Sequence, residues 1–169
     1  QCSTVERAWL ASKMVEGIRV FGGLVLNETV GGLNPAAVRL ALQMGAKQVW
    51  MPTRSARNHR RHFGDPGGIS VLDEAGALVP AVEEILRLMA ASDCILGTGH
   101  LSPEETVALV ARARQLGVGK ILITHPEWPA TTYSNDLQKR LAASGGVFFE
   151  RCFVCTTHRG GFIPFETIE

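Results

Sequence analysis

Short apolar runs and amphipathic stretches take turns along this chain at intervals of about 20–30 residues, the rhythm of repeated βα units. Ser3 with Glu6 predicts a capping box opening a helix from Thr4 to Glu16, stopped by Gly17. Ile18 to Leu26 reads as a strand ending in the polar turn Asn27-Glu28-Thr29 and the flexible pair Gly31-Gly32. Asn34-Pro35 caps a helix from Ala36 to Met44, closed by Gly45, and Val49 to Met51 is a short strand ending at Pro52-Thr53. From Pro80 a helix carries the stripe Val82, Ile85, Leu86 and Met89, a core-facing pattern.

The most informative stretch runs from Cys94 to Glu105. It begins as a short apolar strand, breaks at Gly97 and Gly99 with His100 in the turn, and opens a helix through Ser102, Pro103 and Glu105. That helix extends to Leu116, with Val107, Val110 and Leu116 expected inward and Gly117 as its cap. One unit later the pattern returns as Lys120 to Thr124 followed by His125-Pro126-Glu127. A loop to Tyr133, an N-cap at Ser134, a helix from Asp136 to Ser144 and a strand from Val147 to Glu150 complete the pattern. Arg151 to Glu169 shows no clear element.

One segment breaks the rhythm. Arg54 to Gly68 holds four arginines (Arg54, Arg57, Arg60, Arg61) with Asn58, His59 and His62, and has no apolar period. Ile69 to Leu72 and Ala77 to Val79, joined by Asp73-Glu74-Ala75-Gly76, predict a small inserted β-hairpin. Loops longer than about 12–15 residues are usually functional or disordered, so this insertion after the second strand is expected to be a lid or substrate loop. Its arginines suit an anionic ligand.

Five strands, each buried on both faces, imply a parallel sheet. Polar residues gather at the carboxyl ends of successive strands (Asn27, Thr53, His100, His125, Glu150). Convergence of consecutive strand ends is the geometry of a (β/α)8 barrel, whereas an open doubly wound sheet concentrates its ligand at one switch point. No GxGxxG or phosphate loop follows any strand. The expected fold is therefore α/β, a partial TIM barrel of about five consecutive βα units in a single domain spanning residues 1–169, with the remaining strands before Gln1 and after Glu169. Open edges and an exposed interior face predict aggregation or homo-oligomers for the isolated chain.

Bulk properties narrow the partners. A net charge of +1 over 169 residues argues against nucleic acid or a membrane surface. No apolar run approaches the roughly 18 residues needed to span a bilayer. Cys94 falls in a predicted buried strand, leaving no disulfide framework among the four cysteines, so a reducing cytoplasm is expected. Cys152-x-x-Cys155 is half of a zinc motif without a second pair. His100 and His125 at the same end of adjacent strands are candidate ligands of a divalent metal, zinc above all, with Glu127 and Glu150 as neighbouring carboxylates.

The strings Val20 to Asn27, Gly31 to Pro35, Trp50 to Thr53, Asn58-His59, Thr98 to His100 and Thr124 to Glu127 together resemble an uncharacterised family of amidohydrolase-related barrel proteins. The resemblance implies that His100 and His125 stand on the fifth and sixth barrel strands and bind metal, and that Asn27, Asn58 and His59 line the pocket. Thr53 stands where binuclear members carry a bridging lysine or glutamate, which argues against a carbamylated-lysine bridge. The expected function is a metal-dependent hydrolase acting on a small polar or acidic substrate, with Arg54, Asn58, His59, Asn27 and Glu150 contacting substrate. The general base is expected outside these residues, leaving the chain by itself inactive. A non-catalytic small-molecule-binding barrel and a metal-dependent lyase or decarboxylase are the alternatives.

Overall fold

The computed structural model describes residues 2–157 and 163–167. Part of the Arg151 to Glu169 stretch (158–162 and 168–169) therefore lies outside the described residues, as does Gln1. Among the described residues six α-helices and five strands follow in the order α1 (Val5–Met14), β1 (Gly23–Val25), α2 (Pro35–Gln43), β2 (Gln48–Trp50), α3 (Arg57–His62), α4 (Pro80–Ala90), β3 (Ile95–Gly97), α5 (Pro103–Gln115), β4 (Ile121–Thr124), α6 (Asn135–Ala143) and β5 (Val147–Glu150). The strands form one sheet in sequential order, every neighbouring pair parallel. The strand reordering of an open doubly wound sheet is absent from these five strands.

Side-chain caps open three of the described helices. Asn34 accepts from the backbone N–H groups of Ala36 and Ala37, with Pro35 at the first helical position. Ser102 and Glu105 complete a reciprocal capping box on α5, and Ser134 accepts from Leu137 N at the start of α6. Three expectations are corrected here. The strand predicted from Ile18 pairs only from Gly23, because Ile18 and Phe21 find no partner and stay exposed. The basic stretch after β2 is not all loop: Arg57–His62 forms α3, pinned by Arg57 N donating to Ile69 O. The predicted hairpin is reduced to a single antiparallel bridge between Leu72 and Leu78.

Side chains alternate across the sheet, and the register sorts them into two unequal faces. The row Leu24, Val49, Leu96, Ile121 and Val147 packs into one core with Val38, Val82, Leu109 and Leu137 of α2, α4, α5 and α6. Its opposite row, Val25, Trp50, Gly97, Leu122 and Phe148, stays outside that core, and Phe148 is 59% exposed. Burial on both faces, expected from the apolar runs, holds only in part: among the described residues the Leu24 row packs into the helix-lined core, Gly97 is buried, Val25, Trp50 and Leu122 are half-buried, and Phe148 is exposed. Val107 is likewise exposed rather than inward, and α5 buries Thr106, Leu109, Val110 and Ala113 instead. On the face opposite Leu24 the Trp50 indole lies across three strands. A Cβ on Gly97 would sit 2.4 Å from its Cδ1, and one on Gly23 2.6 Å from its Cζ3. Ser3 bridges Leu24 in antiparallel fashion along the outer edge of β1, so α1 starts beside the sheet.

Candidate functional site

The carboxyl ends of β2, β3, β4 and β5 meet at a cleft of about 500 Å³ whose wall includes Thr53, His100, Thr124, His125 and Glu150. Each side chain arrives there through a defined backbone device. After β3, Gly99 takes a left-handed conformation so close to β2 that a Cβ would lie 2.4 Å from Met51 O. His100 N then donates to Pro52 O at 2.9 Å. Thr98 Oγ1 accepts from Thr124 N, and Thr124 Oγ1 accepts from Gly99 N, which locks the two strand ends together. After β4, His125 itself adopts φ of 49°, a left-handed conformation uncommon outside glycine, though histidine takes it more readily than most side chains. Its carbonyl oxygen accepts from Trp128 N and the Thr131 hydroxyl, which hold the turn. Strain of this kind persists where surrounding contacts over-determine it, commonly at functional sites.

The histidines converge. His100 and His125 have ring centroids 5.9 Å apart, and His59 from α3 stacks on His100 at 4.9 Å with Nδ1 to Nδ1 at 2.9 Å. Trp128 packs against all three rings, at 4.9 Å from His100, 5.5 Å from His59 and 6.4 Å from His125. Burial pushes the His100 imidazole down to about 3, helped by His59, His125 and the Arg54 charge. His59 is also lowered, by burial first and then by Arg54 and His62. His59 and His100 are therefore neutral near pH 7, with lone pairs available to accept a proton or a metal.

Two buried atoms in this cleft have no hydrogen-bond partner, Nδ1 of His125 and Oε2 of Glu150. They stand on neighbouring strand ends, since Thr124 and Glu150 are in register. Buried polar atoms normally find partners, so two unpartnered ones on residues of the cleft wall are groups that a bound ligand would satisfy. Glu127 is committed elsewhere: it is buried and ion-paired with Arg151, which also donates to Gln138 Oε1. As for metal, the residues fit as a pair of donors. Among the described residues there is no group of three or more His, Cys, Asp and Glu side chains able to hold an ion.

Residues 1–150 match a family of unknown function (DUF6282). The chain belongs to that family. No curated protein and no solved structure matches it.

In this DUF6282 chain the other expected substrate residues divide into two groups. His59 and Arg54 reach the histidine cluster, Arg54 through its charge, and it forms no ion pair with a described carboxylate. Asn27 and Asn58 are engaged in holding backbone. Asn27 Oδ1 accepts from Thr53 N and Ser55 N while its Nδ2 donates to Thr53 Oγ1. Asn58 Nδ2 donates to the carbonyls of His100 and Ala130, tying α3 to the loops after β3 and β4. Sequence reasoning missed Trp128, the hub of the ring cluster, and Arg7 of α1, which lines the cleft. Nothing local distinguishes either from an ordinary surface residue. Among the described residues no helix is long and apolar enough to cross a membrane.

Proposed function

We propose that this DUF6282 protein is a metal-dependent hydrolase of the amidohydrolase type, acting on a small polar or acidic substrate at the carboxyl ends of β2 to β5. The single observation that carries the reading is the His100–His125 pair: two imidazoles on adjacent strand ends, one held neutral by burial and the other with an unpartnered Nδ1. The scaffold reading that accompanies it is a partial (β/α)8 barrel. It is supported by sequential parallel strands with helices packed on the Leu24 face of the sheet, because a barrel keeps helices outside and strand-end residues around its mouth.

When bound, a divalent ion such as zinc supplies Lewis acidity and lowers the pKa of a water toward about 7. His100 and His125 would hold it. For His100 to offer its Nε2 lone pair, its Nδ1 must carry the proton and donate to His59 Nδ1, the 2.9 Å contact observed. His59 thereby orients the ligand and fixes its tautomer. Arg54 draws an anionic group of the substrate toward the cluster, and Glu150 Oε2 accepts a hydrogen from the bound molecule. Trp128 keeps water from the outer side of the rings.

The test is turnover of amides, esters, lactones and β-keto acids by the full-length protein, with and without added zinc. Zinc-dependent hydrolysis of an amide, ester or lactone, lost on chelation, is expected. Carbon–carbon cleavage of the β-keto acids would overturn the hydrolase in favour of a lyase. Ligand binding without turnover of any class would replace it with a binding barrel.

A further inference from the structure

Cys152 and Cys155 lie beyond the residues that match the family, Cys152 capping and Cys155 within the 3₁₀ turn Phe153–Thr156 that follows β5. Their spacing alone carries little; the turn changes that. Cys155 N donates to Cys152 O at 2.9 Å, closing a turn across four residues. Such a closure brings the first and fourth Cα atoms within about 7 Å, and disulfides span Cα separations of roughly 4.4–6.8 Å. Cys152 takes extended backbone at that cap, and it is among the groups that raise the Cys155 thiol. Both are free thiols with unequal access: Cys152 is partly exposed, Cys155 is 1% exposed. One reachable sulfur backed by one sheltered sulfur is the arrangement of an attacking and a resolving thiol.

We infer that Cys152 and Cys155 are a redox dithiol that closes to an intrachain disulfide by exchange with a small-molecule disulfide such as oxidised glutathione. The Cys152 thiolate attacks one glutathione sulfur, forming a mixed disulfide and expelling one glutathione thiolate. Cys155 then attacks Cys152 Sγ, forming the protein disulfide and expelling the second glutathione. Two electrons pass from the protein sulfurs to the glutathione disulfide, and the two thiol protons end on the two departing glutathiones. Burial pushes the Cys155 thiol up to about 11, so it waits protonated until the mixed disulfide forms beside it. The bridge would close one residue from Arg151, which is paired with Glu127 beside the His125 turn.

The experiment equilibrates the full chain, in a Cys2→Ser background, with glutathione buffers of rising oxidised fraction, then alkylates free thiols and maps peptides by mass spectrometry. Expected is loss of two alkylatable thiols and of the mass of two hydrogens, with the cross-link confined to the peptide holding Cys152 and Cys155. Cys155→Ser should stop at one glutathione on Cys152, and Cys152→Ser should stay unmodified. Protein carrying both Cys152 and Cys155 that keeps them as thiols, stops at a glutathione adduct, or bridges through Cys94 would overturn the inference, and none of these outcomes depends on the Cys152 or Cys155 variants folding.

Discussion

Replacing Asn27 by alanine should destabilise the chain by about 3–4 kcal/mol. The side chain is 3% exposed and makes three hydrogen bonds across 26 to 28 residues of sequence: Oδ1 from Thr53 N at 2.9 Å and Ser55 N at 3.1 Å, and Nδ2 to Thr53 Oγ1 at 2.9 Å. Alanine removes all three and leaves two backbone N–H groups buried without an acceptor. Each orphaned buried group costs about 1–3 kcal/mol, with some recovery as water enters the loop. Aspartate at the same position still accepts from both N–H groups, and the Thr53 hydroxyl can turn to donate to it, so its cost should be smaller. Urea denaturation of wild type, Asn27→Ala and Asn27→Asp measures the differences, and hydrogen exchange at the Thr53 and Ser55 amides reports the loop itself. A cost below about 1 kcal/mol for alanine, with unchanged protection of those amides, would refute the claim that Asn27 is scaffold.

Three further outcomes follow from the same kind of reasoning. Glu105→Ala removes a buried carboxylate that accepts from Ser70 Oγ, Val71 N and Ser102 N; it should cost about 2–4 kcal/mol and open the segment around Ser70 to protease before the rest of the chain unfolds. In metal-free protein, His100 stays neutral down to about 3, whereas an unfolded imidazole protonates near about 6.5; its stabilisation is complete above that value and lost progressively as pH falls from about 6.5 toward about 3. His100→Gln should flatten that part of the stability–pH curve, read from urea midpoints. Gly97→Ala places a methyl 2.4 Å from Trp50 Cδ1 and should cost about 1–3 kcal/mol while shifting tryptophan fluorescence, because the indole must move off the sheet.

The parts of the fold that sequence reasoning captured are those whose determinants are local. Ser102, Pro103 and Glu105 sit within four residues of one another, and the capping box they predict is present. Strand extent is different, since pairing is decided by chain far away: Ile18 to Phe21 are apolar enough for a strand yet find no neighbour to bond. α3 escaped because Arg57 to His62 contains no apolar residue; tertiary contact between His59, Phe63 and Trp128 accompanies it instead. At the site, His100 and His125 were legible from their repeated place after successive strands. Whether Asn27 and Asn58 face a ligand or hold backbone was not, because the same amide serves both purposes and only the partners decide.

The central claim is that His100 and His125 act together as donors to one divalent ion. Isothermal titration of the metal-free chain with zinc tests it most directly, alongside His100→Ala and His125→Ala. The account predicts one zinc per chain in the wild type and at least a roughly tenfold loss of affinity in each variant. Zinc bound by both variants as tightly as by the wild type would contradict it.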